Sequence, residues 1–181
     1  KDWTNATLKA TAVIENPVYV WVSNPNLEFL KESTATIWAL HPGNPSVNTK
    51  DARFFVFSSG PPEKPELSRA FVADFELGDL RKNLWVRTIT NSIGTWYCSY
   101  KYKKNLGTTP SQEYTILFRL AEQYLIRAEA RAHLGNIPGA QADLNKIRHR
   151  AGLSNTTADT PESLLKAIAM ERRSELFTEQ G

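Results

Sequence analysis

Flat aromatic rings are the residues of this chain best suited to hold a ligand. Trp85, Trp96, Tyr97, Tyr100 and Tyr102 all fall between Asp79 and Pro110, a stretch without sustained periodicity. Rings carried on loops stack on the apolar faces of sugars or bury the side chains of a peptide. Trp85, Trp96, Tyr97 and Tyr100 are therefore candidate binding residues, with Arg87 and Asn91 beside them as hydrogen-bond donors to hydroxyls. The competing reading is that these rings fill a core between loops and helices.

Catalytic chemistry has less support. His41, His133 and His149 have no partner at the spacing of a zinc pair, and the single cysteine, Cys98, excludes an internal disulfide and any multi-cysteine metal site. No nucleophile elbow, phosphate-binding loop or dinucleotide fingerprint occurs, and no cofactor is implied. Glu122 and Glu129 share a helix face, as do Glu171 and Glu175. Arg119, Arg127, Arg131, Arg172 and Arg173 surround them, which points to ion pairs between helices. Neighbouring cations lower a carboxyl's pKa and make it a poor general acid. The run Lys101-Tyr102-Lys103-Lys104 is too short for a nucleic-acid surface and reads as a solvated loop edge.

The elements that must position these residues are mainly helical. Leu117, Ala121, Tyr124, Ala128 and Ala132 form one stripe on a helix that Gly135 stops. Asn136 caps a second helix with Pro138 in its first turn, and its stripe runs through Ala140, Leu144 and Ile147 to Ala151. So short a link makes the two antiparallel, with the alanines letting the backbones approach, as in a tetratricopeptide-type hairpin. Thr160 caps a last helix that carries Leu164, Leu165, Ile168 and Leu176.

Upstream, Trp3 to Ile14 sketches a helix that Asn16-Pro17 ends. Val18–Val22 is a short strand or an extended segment, and Ala35–Leu40 and Phe54–Ser59 read as strands. Three prolines within residues 60–66 forbid regular structure there. Ser68 caps a short helix with Phe71 and Phe75 inward, ending at Gly78.

The totals agree with a globular chain. It has 181 residues, 41% hydrophobic and 23% charged, and a net charge of +3 that is too small to argue for nucleic acid. No run approaches the roughly 18 apolar residues of a membrane span. The chain begins at Lys1, its only methionine is Met170, and no apolar signal segment is present, so it reads as a processed product or an excised piece.

Three segments carry a family resemblance: RLAEQYLIRAEARAHLGN (residues 119–136), DLNKIRHRAGL (143–153) and AIAMERRSELFTEQG (167–181). In order and spacing they resemble the C-terminal signature of SusD/RagB proteins. The Trp3 helix, TIWAL, DARF at 51–54, DLRKNLW at 79–85 and the pair Lys101-Tyr102 resemble the family as well. A member would carry a lipidated cysteine and an N-terminal half that this chain lacks, and Gln180 stands where the family has a direct Glu-Gly.

The resemblance implies a mostly α fold, with tetratricopeptide-like hairpins, a loop-rich region and a few short strands. Residues 1–181 would be one C-terminal domain fragment, with residues 1–110 as helix plus loop-rich ligand region and 111–181 as helical scaffold. It implies a non-catalytic lipoprotein of the bacterial outer-membrane surface, typically in Bacteroidetes, that binds glycans and delivers them to a SusC-type TonB-dependent transporter. The arginines and glutamates of the helices would then be scaffold. Three alternatives stay open: a peptide-binding member, a glycoside hydrolase using Glu122 or Glu171, and a pure protein-interaction scaffold.

Overall fold

Gly135, with φ of 75°, turns the chain between two antiparallel helices, as the spacing predicts. The computed structural model describes residues 1–179, so Gln180-Gly181 of the family-like ending lie outside the described residues. Seven α-helices and four short strands occur among the described residues, a mostly α fold. The chain divides into two compact units, one of Lys1–Asn24, Thr34–Trp38 and Leu117–Gly181, the other of Pro25–Ser33 and Ala39–Ile116. The first thus joins the N-terminal helix to the C-terminal ones, whereas a linear division at residue 110 separates them.

In the helical unit, α1 (Trp3–Ile14) packs on α5 (Leu120–His133), which forms the hairpin with α6 (Ile137–Arg150). The last helix, α7 (Pro161–Leu176), packs on both. Asn136 Oδ1 accepts the Gly139 N–H at 3.0 Å and caps α6. Thr160 and Ser163 form a reciprocal capping box on α7. Ala121, Ala128, Ala132 and Ala140 are completely buried, and Leu125, Leu144, Ile147 and Leu164 fill the space between them. Each such Leu or Ile contributes about 1.5–3 kcal/mol. The stripe expected from Leu117 begins later, because Thr115–Arg119 is a strand, β4, paired with β1 (Thr36–Leu40). Residues 18–22 form neither helix nor strand, and Trp21 packs edge-on against Tyr124 at 5.2 Å.

The carboxylates of Glu129, Asp143, Glu171 and Glu175 in this unit are bound to arginines, the arrangement the sequence predicts for Glu129, Glu171 and Glu175. Glu175, wholly buried, receives Arg119 at 2.5 Å and also Arg150. Asp143 holds Arg127 at 2.7 Å and Arg131 at 2.8 Å, tying α5 to α6. Arg148 reaches Glu171 at 3.3 Å, and Arg172 reaches Glu129 at 3.1 Å. Glu122 departs from the expectation: burial pushes its pKa above the ordinary carboxyl range, against the smaller opposing pull of Arg172 and Arg119.

The other unit contains more regular structure than its sequence pattern suggests. Phe54 and Phe55 end a helix, α2 (Lys50–Phe55), rather than a strand, because Thr49 caps it by accepting the Asp51 N–H. Ser68 caps α3 (Arg69–Ala73), which ends well before Gly78. The stretch after Asp79 is regular as far as Ser99, forming α4 (Leu80–Trp85) and an antiparallel hairpin of β2 (Val86–Thr90) with β3 (Thr95–Ser99), whereas residues 100–114 form neither helix nor strand. Short elements and strong turns mask both periodicities over so few residues. The lysine run is not a solvated edge either. Lys101 is buried against the Phe29 and Trp85 rings, and the Tyr102 hydroxyl accepts the Ile116 N–H at 2.8 Å. Buried Glu113 takes the N–H groups of Lys103 and Lys104 at 2.8 and 2.9 Å.

Candidate binding site

The β2–β3 hairpin decides where the sequence-predicted rings point. Its register pairs Arg87 with Cys98, Thr88 with Tyr97 and Ile89 with Trp96. Successive side chains of a strand face opposite sides, so the adjacent rings Trp96 and Tyr97 lie on opposite faces of the hairpin. The ring cluster of the sequence is thus two surfaces.

On one face, half-buried Trp96 packs against the small core of Phe57, Ile89 and Cys98. A Cβ on Gly60 would stand 2.2 Å from the indole, so glycine is what allows the ring to lie on that backbone. Half-buried Tyr100 is covered by cations, with the Arg87 guanidinium 5.5 Å and the Lys103 amine 5.6 Å from its ring centroid. Exposed Asn91 closes the hairpin: its Oδ1 accepts the Ile93 and Gly94 N–H groups at 2.8 and 3.2 Å, and its amide donates to Gly60 O at 2.7 Å. Asn91 is therefore mainly a turn residue. Burial raises the Cys98 thiol pKa, which makes it an inert core group.

Trp85 requires correction as a binding ring. It has no solvent exposure, its indole N–H donates to Pro25 O at 3.1 Å, and Phe29 meets it edge-on at 5.3 Å. The cause is helical spacing: Arg81 and Trp85, one turn apart on α4, are both buried. Asp79 fixes that turn by capping the helix and pairing with Arg81 at 2.7 Å.

The opposite face of the hairpin bounds a cleft of about 490 Å³. Tyr97 and Thr88 line it from the strands, Lys82 and Asn83 from α4, and Arg69 with Val72 from α3. Two hydrogen bonds hold the α3 segment on β3: Leu67 N–H to Tyr97 O at 2.8 Å, and Arg69 Nη2 to Thr95 O at 3.2 Å. Of the six residues expected from the sequence, only Tyr97 lines this cleft. Period-2 alternation in VRTIT and TWYCS would have paired Thr88 with Tyr97; nothing local in the sequence marks Arg69, Lys82 or Asn83. In the helical unit an exposed ring pair was also missed, Trp38 and Phe118, with centroids 5.9 Å apart.

Among the described residues, no group of three or more His, Cys, Asp or Glu could hold a metal ion. His133 stacks on Trp3 at 4.0 Å, His41 meets Tyr114 edge-on at 4.9 Å, and His149 binds Asn155. No helix of the described residues is long and apolar enough to cross a membrane.

These elements belong together in a known family. Residues 47–181 match the SusD family, and the chain belongs to it. Solved structures with the same fold include a SusD-like carbohydrate binding protein from Bacteroides vulgatus (24% identity, TM-score 0.77, 98% of this chain and 40% of that one). A SusD superfamily protein from Parabacteroides distasonis is 18% identical, with TM-score 0.82 over 98% of this chain and 45% of its own. Surface glycan-binding protein A from Bacteroides uniformis is likewise 18% identical, with TM-score 0.74 over 98% and 43%. The chain therefore spans less than half the length of these structures. No curated protein matches the sequence.

Proposed function

We propose that this chain is the ligand-holding part of a non-catalytic glycan-binding protein that works at the bacterial outer-membrane surface and passes its ligand to a SusC-type transporter. The helical unit serves as frame, and the unit bearing the hairpin supplies the ligand surface. Family membership supports the class of activity, as do the glycan- and carbohydrate-binding descriptions of the Bacteroides uniformis and Bacteroides vulgatus structures. The observation that carries the assignment within the chain is the hairpin, which offers half-buried rings on both faces. Trp96, Tyr97 and Tyr100 are the stacking residues of this reading, Arg87 donates to hydroxyls, and Asn91 sets the hairpin tip. Half-exposed rings suit sugars, whose axial hydrogens lie on an aromatic face while their hydroxyls remain wet.

Affinity electrophoresis of the purified chain against a polysaccharide panel, beside a peptide pull-down, tests the proposal. Retardation by at least one polysaccharide, weakened in Trp96→Ala or Tyr97→Ala with the circular dichroism spectrum unchanged, is expected. Capture of peptides with no retardation by any glycan would replace it with the peptide-binding reading. Reducing-sugar release that Glu122→Gln or Glu171→Gln abolishes would make the protein a hydrolase.

A further inference from the structure

The cleft on the Tyr97 face has a definite charge. Two cations line it, Arg69 from α3 and Lys82 from α4, and no aspartate or glutamate does. The neutral polar groups of its wall are Asn83, Thr88 and the Tyr97 phenol. Arginines of the helical unit contrast with these cations: Arg119, Arg127, Arg131, Arg148, Arg150 and Arg172 each end on a carboxylate. Exposed Arg69 instead gives one N–H to the Thr95 carbonyl at 3.2 Å, which leaves most of its five donors unspent. A planar guanidinium with free donors matches the paired oxygens of a carboxylate or sulfate.

We propose that this cleft recognises an acidic saccharide, a sugar bearing a carboxylate or sulfate group, an inference that rests on the glycan-binding reading above. Arg69 and Lys82 bind the anionic group, the Tyr97 ring packs on the sugar face, and Asn83 and Thr88 bond its hydroxyls. A cleft of about 490 Å³ has room for one or two sugar rings. Each charge-assisted contact is worth roughly tenfold in affinity at low ionic strength, and added salt screens part of it.

The test titrates the whole chain with two matched pairs, following intrinsic tryptophan fluorescence or heat. Trigalacturonic acid against its methyl ester removes the carboxylate charge alone; a sulfated carrageenan tetrasaccharide against its desulfated form does the same for sulfate. At least one acidic probe is expected to bind tenfold or more tightly than its neutral partner, and the pair that shows the gap identifies the anion. Arg69→Gln and Lys82→Gln should each narrow the gap without altering the circular dichroism spectrum, as should salt at about 0.5 M. Equal binding within both pairs, or a gap untouched by both variants, overturns the inference. If neither pair binds while a neutral polysaccharide retards the chain in electrophoresis, the inference fails and the glycan-binding reading stands. If no saccharide is held, both fail.

Discussion

Arginine is used differently in the helical unit and on the β2–β3 hairpin and α3, although Arg81 of α4 is itself buried on Asp79. In the helical unit its guanidinium groups are sunk onto carboxylates, as with Arg119 and Arg150 on Glu175 or Arg127 and Arg131 on Asp143. Around the β2–β3 hairpin, Arg87 lies over the Tyr100 ring and Arg69 bonds a backbone carbonyl. The first arrangement fixes helix geometry and leaves little charge for anything else. The second leaves donors and half-exposed rings facing water, where a ligand would compete only with solvent. On the proposed reading, arginines neutralised by carboxylates belong to the frame, and Arg69 and Arg87 belong to the surface that would bind a glycan.

The frame should break most severely. Glu175→Ala removes the carboxylate that buried Arg119 and Arg150 share, although Arg119 retains Glu179, and urea denaturation should show a loss of about 3 kcal/mol. A loss below about 1 kcal/mol would mean that the buried network contributes little. Trp85→Ala tests the same distinction within the other unit. Emptying a fully buried indole site should also cost about 3–5 kcal/mol of stability, whether or not a glycan is present. Tyr97→Ala should behave in the opposite way, leaving the urea midpoint nearly unmoved while glycan affinity falls about tenfold, near 1.4 kcal/mol. A Tyr97→Ala protein that loses stability but keeps its affinity would move that ring into the core.

The smallest expected effect is a pH dependence. Glu122 has a folded-state pKa above its unfolded value, because burial outweighs the pull of Arg172 and Arg119. Between those two values the folded chain holds a proton that the unfolded chain has released. Its contribution is therefore complete below the unfolded pKa and is lost as pH rises through the folded one. Denaturation at a series of pH values upward from the ordinary carboxyl range should show this slope, and Glu122→Gln should flatten it. Buried Glu113, raised chiefly by burial, contributes with the same sign.

The helical frame was legible because its signals are long and redundant. The stripes through Ala128 and Leu144, the Gly135 stop and the Thr160 cap each predict the same hairpins. The start of α5 was misplaced because Leu117 continues the apolar period although the chain there pairs as a strand. The hairpin-bearing unit was harder to read because its elements are five or six residues long, too short for period to outweigh composition. Trp85 and Tyr97 show the consequence: both are ring residues beside turn chemistry, yet one turn of helix buries the first and strand alternation sends the second into the cleft. Arg69 and Lys82 reach that cleft from separate helices, a juxtaposition that depends on tertiary packing and leaves no spacing to find. The pull of arginines on Glu122 was visible in sequence, whereas the burial that overrides it was not.

Hydrogen exchange of the whole chain, measured with and without a polysaccharide that retards it in electrophoresis, tests the division between frame and binding surface most directly. The account predicts that added protection concentrates between residues 67 and 103, strongest in β3 and its flanks. Protection confined to α5, α6 and α7, or to the strand segments carrying Trp38 and Phe118, would contradict it.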